Sequence, residues 1–301
     1  MTPENIQIVE VGPRDGLQNE KLWVSTETKI SLIEKLADAG LTKIEVTSFV
    51  SSKWVPQLKD AHQVFTGIKQ IPNVSYPVLT PNMKGFERAL EADVKEIAVF
   101  SAASEKFSQK NANCSIEESI NRFKPVLTEA QKNNILVRGY ISCVLGCPYQ
   151  GNVPAENVAN LAAKMTEMGC FQISLGDTIG AGTPIQAKKM VQKVLEKVPV
   201  SKLALHFHDT RRQALANIYA CLELGISVID SSIAGLGGCP YAEGATGNVA
   251  TEDVVFMLNG MNIETGIDLK KLIDTGLFIS KIFGRAPKSR VLSAAWHNLL
   301  H

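Results

Sequence analysis

The sequence predicts an α/β fold in which eight parallel strands, each followed by a helix, close into a (β/α)8 barrel, a TIM barrel, with additional helices at the C-terminal end. Three observations predict it. Short β-rich apolar runs alternate with longer amphipathic runs, the pattern of parallel strands joined by crossover helices. Eight such units fill about 230 residues, which suits a closed barrel better than the alternative, an open doubly wound sheet. Polar residues able to do chemistry gather just after the apolar runs, where a barrel keeps its active site.

The units run in order. Gln7 to Val11 reads as the first strand, followed by a glycine-containing loop. Ser25 to Ala39 reads as a helix with Ile30, Leu32, Ile33 and Leu36 on its apolar side and Gly40 as its stop. Lys43 to Thr47 is the second strand and Lys53 to Ile68 is mostly helical. Val74 to Leu79 is the third strand, Asn82 to Glu91 a helix, and Glu96 to Phe100 the fourth strand. Ser115-Ile116-Glu117-Glu118 is a capping box that opens a long helix. Leu136 to Cys143 is the fifth strand, Asn157 to Met168 a helix stopped by Gly169, and Phe171 to Leu175 the sixth strand. Pro184 to Val198 is helical, Leu203 to His208 the seventh strand, Ala214 to Leu224 a helix, and Ser227 to Ser231 the eighth strand. Thr251 to Leu258, Leu269 to Ile282 and Ser289 to Leu300 read as helices appended to the barrel.

Composition bounds the function. The 301 residues are 45% hydrophobic and 20% charged, which fits one catalytic domain: a barrel over about 6–247 with the appended helices over about 248–301. A net charge of +1 gives no basic field for nucleic acid or an anionic membrane. No apolar run approaches the roughly 20 residues that span a bilayer, and no signal-peptide pattern opens the chain. The six cysteines contain no CxxC pair and read as reduced thiols of a cytoplasmic protein.

His206 and His208 alternate on the seventh strand and so point the same way, a half-site for a divalent metal. On their own they read more simply as two polar residues lining a cleft, and carboxylate and amide ligands at other strand ends are needed to make the metal case. Other strand ends add candidates: Arg14-Asp15 after the first strand, Glu45 on the second, Tyr140 on the fifth, Ser174 on the sixth, and the Gly235-Leu236-Gly237-Gly238-Cys239-Pro240 loop after the eighth.

Val11-Gly12-Pro13-Arg14-Asp15-Gly16-Leu17-Gln18-Asn19-Glu20 and Ala234-Gly235-Leu236-Gly237-Gly238-Cys239-Pro240-Tyr241-Ala242 closely resemble motifs of the 3-hydroxy-3-methylglutaryl-CoA lyases. So do His206-Phe207-His208-Asp209-Thr210 and the run from Gly247 to Asp253. The resemblance extends from about Gln7 to Leu258. It implies a metal-dependent retro-Claisen cleavage of 3-hydroxy-3-methylglutaryl-CoA to acetyl-CoA and acetoacetate, with Mg²⁺ or Mn²⁺ as cofactor. Carried over residue by residue, it implies Asp15, His206, His208 and Asn248 as metal ligands and Arg14, Glu45 and Cys239 as catalytic residues. It places Arg14, Gln18, Asn111, Tyr140 and Ser174 along the substrate path. Lys106, Lys110 and Arg138 are further candidates for phosphate contacts, beside the plainer reading of the two lysines as part of a solvated charged loop. A homodimer is expected at the level of the family, with the C-terminal helices supplying its surface.

The chemistry needs such groups. A cation chelating the substrate's alcohol and carboxylate lowers the alcohol's pKa. Asp15 or His206 would take the proton. Arg14 is aimed at the charge that moves onto the thioester oxygen. Cys239 is an acid for the enolate carbon, with Glu45 orienting or polarising the group. Plainer readings stand beside these: a loop ion pair for Arg14-Asp15, a structural acid for Glu45, an inert Cys239, a phosphate cradle rather than a lid in the glycine loop, and a helix cap at Asn248.

The sequence departs from the pattern after Thr210. Arg211 and Arg212 stand where the family commonly has an aromatic or basic residue and then glycine. Losing that glycine predicts a reshaped turn, and two arginines near the metal rim bear on acyl selectivity. The second reading of the chain is a Claisen-condensing enzyme of the isopropylmalate or citramalate synthase type. A third is a non-catalytic metal- or CoA-binding protein.

Overall fold

A computed structural model of the chain describes residues 2–238 and 247–297. Cys239 and the last residues of the expected C-terminal helix, 298–300, lie outside the described residues.

The strands are β1 (Gln7–Glu10), β2 (Lys43–Ile44), β3 (Thr47–Ser48), β4 (Val78–Leu79), β5 (Glu96–Ala102), β6 (Leu136–Ser142), β7 (Gln172–Asp177), β8 (Leu203–Phe207) and β9 (Val228–Ser231). All are parallel, in the order β2-β1-β9-β8-β7-β6-β5-β4-β3. β2 and β3 are the two ends of one extended stretch, 43–48. Within it Glu45 N donates to Glu10 O at 2.9 Å on one side and Val46 N to Pro77 O at 3.0 Å on the other. One stretch thus pairs with both edges of the sheet and closes it, and a closed sheet leaves no strand edge open.

Eleven described helices accompany the strands: α1 (Thr26–Asp38), α2 (Ala61–Gly67), α3 (Met83–Glu91), α4 (Glu105–Ala112), α5 (Ile116–Lys132), α6 (Ala155–Glu167), α7 (Pro184–Leu195), α8 (Ala214–Leu222), α9 (Thr251–Gly260), α10 (Leu269–Phe283) and α11 (Arg290–His297). The capping box is present: Glu118 N donates to Ser115 Oγ at 3.1 Å and Ser115 N to Glu118 Oε2 at 2.7 Å. Gly40 and Gly169 end their helices at φ +100° and +109°, a backbone state that costs glycine little.

Differences from the sequence reading trace to proline and to one cap. The helix expected over 53–68 is a single turn at Pro56–Leu58 followed by α2, because the residue before a proline disfavours helical torsions. The third strand shrinks to Val78–Leu79, since Pro77 has no N–H to give a ladder. α4 went unread, although Ser104 caps it by accepting from Phe107 N at 3.2 Å.

Side chains alternate across the barrel wall. Along β8, Leu203, Leu205 and Phe207 join the core under the helices, while Ala204 joins Val9, Val11 and Val228 in a separate cluster. Inside the barrel, residues of non-adjacent strands meet: Lys43 pairs with Glu96 and Arg138 with Asp230. The inward positions of this barrel are therefore largely polar.

Candidate metal centre at the C-terminal mouth of the barrel

After β1 the chain makes one wide turn in which Gly16 N donates to Val11 O at 3.1 Å. Gly12 is required there, because a Cβ would lie 2.5 Å from Glu10 Oε1 and 2.7 Å from Ile233 Cγ2. The turn sets Arg14 and Asp15 over the mouth of the barrel. β8 brings His206 and His208 to the same place, as its alternation predicts. Just beyond it, Val249 N donates to Phe207 O at 3.1 Å and Asp209 N to Gly247 O at 2.9 Å, which carries Asn248 to the site.

Asp15, His206 and His208 each offer a ligand atom, all within 4.8 Å of one another. Asn248 Nδ2 donates to Asp15 Oδ2 at 2.7 Å and to Leu236 O at 3.3 Å. These contacts belong to a nearly closed ring of polar groups. Asp15 Oδ1 accepts from Arg14 Nη1 at 2.7 Å, and Arg14 Nε donates to Glu45 Oε2 at 2.7 Å. Tyr140 OH donates to Glu45 Oε2 at 3.2 Å and accepts from Arg138 Nη1 at 2.9 Å. Arg138 grips Asp230 at 2.7 and 3.0 Å, and Asp230 Oδ2 lies 3.2 Å from His206 Nδ1. The ring is open only between His206 Nε2 and Asp15 Oδ2, which are 3.9 Å apart.

Burial and neighbours set the charges. Burial raises Asp15, but Arg14, the two imidazoles and the Asn248 amide outweigh it and bring the pKa down to about 2. Burial, reinforced by His206, pushes His208 down to about 4, so its imidazole is neutral near pH 7. Burial also opposes the charge on Asp230, yet Arg138 and His206 hold it below the usual carboxylate range. Glu45 is raised because burial exceeds the pull of Arg14. The donor set therefore suits a divalent cation: an ionised carboxylate, two imidazoles, and a buried His208 Nδ1 with no hydrogen-bond partner among the described residues.

The remaining expected residues divide. Tyr140 belongs to the ring, and Ser174 Oγ donates to Asp230 at 2.7 Å. Gln18 is half-buried at the end of the Arg14-Asp15 turn. Asn111 is half-buried on α4, and among the described residues no hydrogen bond ties it to the ring. Lys106 and Lys110 are exposed on the same helix. Arg138 is corrected: it is 1% exposed inside the barrel and locked to Asp230, so it cannot meet a phosphate group. The sequence reading missed Asp230. Its signal was present, an acid alternating with Val228 in a buried strand.

The turn after Thr210 carries a left-handed residue. Arg212 takes φ +56°, a torsion that glycine adopts freely and that strains an arginine. Arg211 Nη1 donates to Ile179 O and Gly180 O, each at 3.0 Å, and Arg212 Nη1 to Asp209 Oδ2 at 3.3 Å and Lys288 O at 3.4 Å. Both guanidiniums tie loops together around the mouth.

The HMGL-like family model matches residues 5–279. The chain belongs to the HMGL-like family. Within it, the chain is 58% identical over 293 residues to hydroxymethylglutaryl-CoA lyase, mitochondrial, of Gallus gallus, covering 97% of this chain and 98% of that one. It is 56% identical to 3-hydroxy-3-methylglutaryl-CoA lyase, cytoplasmic, of Mus musculus, over 98% of this chain and 86% of the relative. The crystal structure of hydroxymethylglutaryl-CoA lyase from Pseudomonas aeruginosa superposes with a TM-score of 0.97 at 56% identity, covering 99% of both chains.

Proposed function

We propose that this chain is a divalent-metal-dependent carbon–carbon lyase that cleaves 3-hydroxy-3-methylglutaryl-CoA to acetyl-CoA and acetoacetate. The observation that carries the reading is the open link of the polar ring. Asp15, His206 and His208 converge there with Arg14 alongside, in a chain that matches relatives named as this lyase nearly end to end. Asp15, His206 and His208 would hold Mg²⁺ or Mn²⁺, with the side-chain oxygen of Asn248 as a further ligand. Such a cation supplies a Lewis acid that lowers the pKa of the substrate's tertiary alcohol and fixes its orientation.

The protein's own groups do the rest. Asp15 would take the alcohol's proton on the carboxylate oxygen it does not give to the cation, since an imidazole whose Nε2 holds the cation and whose Nδ1 faces Asp230 leaves His206 no basic nitrogen for it. A guanidinium has five N–H donors, and Arg14 commits its Nε to Glu45 and one Nη1 donor to Asp15. The others remain for the thioester oxygen, where enolate charge develops as the bond breaks. Glu45 and Tyr140 fix the guanidinium, whose carbon lies 5.4 Å from the centre of the Tyr140 ring. Gln18 and Asn111 extend the substrate path, Ser174 stands beneath it, fully buried with its hydroxyl on Asp230, and Cys239 protonates the enolate carbon. The alternative, forward Claisen condensation, is not favoured, since relatives at 56–58% identity are named as lyases. The reading also includes a single catalytic unit, a homodimer formed through the C-terminal helices, and a cytoplasmic location. Among the described residues no helix is long and apolar enough to cross a membrane.

The test is metal-stripped protein incubated with 3-hydroxy-3-methylglutaryl-CoA, with and without Mn²⁺ or Mg²⁺, while acetoacetate is followed. Metal-dependent acetoacetate is the expected result, and no acetoacetate with either metal overturns the reading. Cys239→Ala is expected to lower kcat by about 10²–10⁴-fold while Mn²⁺ binding persists, as for loss of a general acid. Unchanged turnover removes this thiol from the mechanism.

A further inference from the structure

Asp230 lies beneath the mouth, fully buried, and its two oxygens carry four hydrogen-bond contacts. Oδ1 accepts from Arg138 Nη2 at 2.7 Å. Oδ2 accepts from Ser174 Oγ at 2.7 Å and Arg138 Nη1 at 3.0 Å, and lies 3.2 Å from His206 Nδ1. Arg138 is itself fixed, with Nε donating to Gln172 Oε1 at 2.8 Å and Nη1 also reaching Tyr140 OH. A carboxylate gripped in two places by a guanidinium is an acceptor only. The imidazole nitrogen facing it must then be the one that carries the proton. In the neutral ring the lone pair then belongs to the other nitrogen, Nε2, which faces Asp15 across the open link of the ring.

We infer that Asp230 is a positioning residue: anchored by Arg138, it holds His206 as the Nδ1–H tautomer and turns the Nε2 lone pair toward Asp15, presetting the metal half-site. Arg138 acts on the site at one remove, because it stops the Asp230 carboxylate from turning away. The consequence for metal affinity rests on the metal-centre reading above, whereas the tautomer does not.

Two measurements test it. Nitrogen-15 NMR of the metal-free wild-type protein should show His206 protonated at Nδ1; protonation at Nε2 overturns the inference whether or not any metal binds. The second compares two double variants that both remove the buried charge pair, a change that proteins often tolerate. Asp230→Asn with Arg138→Met keeps an oxygen able to accept from Nδ1–H and removes the cation that would compete for it. Asp230→Leu with Arg138→Met has similar volume and no acceptor. Loss of an outer partner of a ligating imidazole costs about 10–100-fold in metal affinity. Mn²⁺ titration followed by EPR should therefore find the leucine variant about 10–100-fold weaker than the asparagine variant, with both melting cooperatively. Equal affinities in the two folded variants overturn the inference, because a purely structural role for Asp230 would affect both alike. If the wild type itself binds no Mn²⁺, the metal-centre reading fails and the NMR result alone decides the role of Asp230.

Discussion

The two faces of the barrel wall are built from the same strands and follow opposite rules. Outside, Leu203, Leu205, Ile173, Ile229 and their neighbours pack under the helices in one continuous apolar core. Inside, the alternate positions carry Lys43 and Glu96, Arg138 and Asp230, Tyr140, Glu45 and His206, joined by hydrogen bonds and ion pairs. Buried ion pairs stabilise little for the desolvation they require, and apolar groups of the same volume often do as well. The contrast teaches that the outer face holds the fold while the inner face is arranged for its chemistry.

The first way to break that comparison is at the inner face. Arg14→Gln should lower kcat by about 10²–10³-fold, the usual loss for a donor aimed at developing negative charge, and steady-state kinetics with saturating Mn²⁺ measures it. A fall in stability without a fall in kcat would make Arg14 structural. One residue before His206 and on the other face, Leu205→Ala should do the reverse. It should cost about 2–5 kcal/mol of stability in denaturant unfolding, with Mn²⁺ affinity unchanged in the folded protein.

Carboxyl groups sharpen the comparison. Arg14 holds Asp15 ionised at the mouth of the barrel, and Arg138 holds Asp230 ionised within it. Outside, Glu10 and Glu252 have no ion-pair partner among the described residues, and burial raises both, Glu10 to about 7. Glu10 accepts from Gly12 N, Ile233 N and Thr251 Oγ1, and Glu252 from Ala234 N. A carboxyl group whose folded pKa exceeds its unfolded one stabilises fully at low pH. Its contribution fades as pH rises from the unfolded value, about 4.5, through about 7. Thermal melts between pH 5 and pH 8 should thus lose up to about 3 kcal/mol that Glu10→Gln does not lose. Parallel pH profiles for the two proteins would show that Glu10 does not titrate in this window. The smallest effect belongs to Arg212→Gly, which relieves a left-handed torsion but frees the unfolded chain; a gain of about 0–1 kcal/mol is expected in the same unfolding assay.

Much of this was legible in the sequence, for physical reasons that differ by element. Strand alternation alone placed His206 and His208 together, because the period of a strand is two. The eight-unit alternation gave the barrel, and the short motifs gave the family. Asp230 and the inward role of Arg138 were not legible, because which strands face one another across a barrel depends on its closure and not on local pattern. Arg138 sits on β6 and Asp230 on β9, so only the folded sheet brings them within 2.7 Å. The contacts that set the turn at Arg212 were not legible either, because Arg211 reaches Ile179 O and Gly180 O and Arg212 reaches Asp209 and Lys288 O only in the folded chain.

The closure of the sheet through 43–48 and the pairing of β1 with β9 have a consequence for the protein's synthesis. Asp15 leaves the ribosome early, whereas His206, His208, Asp230 and Asn248 emerge only after two-thirds of the chain has been made. Contacts across such separations form late, after their loop-closure cost has been met. A truncated chain ending before β8 can lay down strands and helices on the outer face, yet it has no metal half-site at all. Assembly of this candidate metal site is thus one of the last events in making the barrel, complete only once β8 and the segment carrying Asn248 have joined β1.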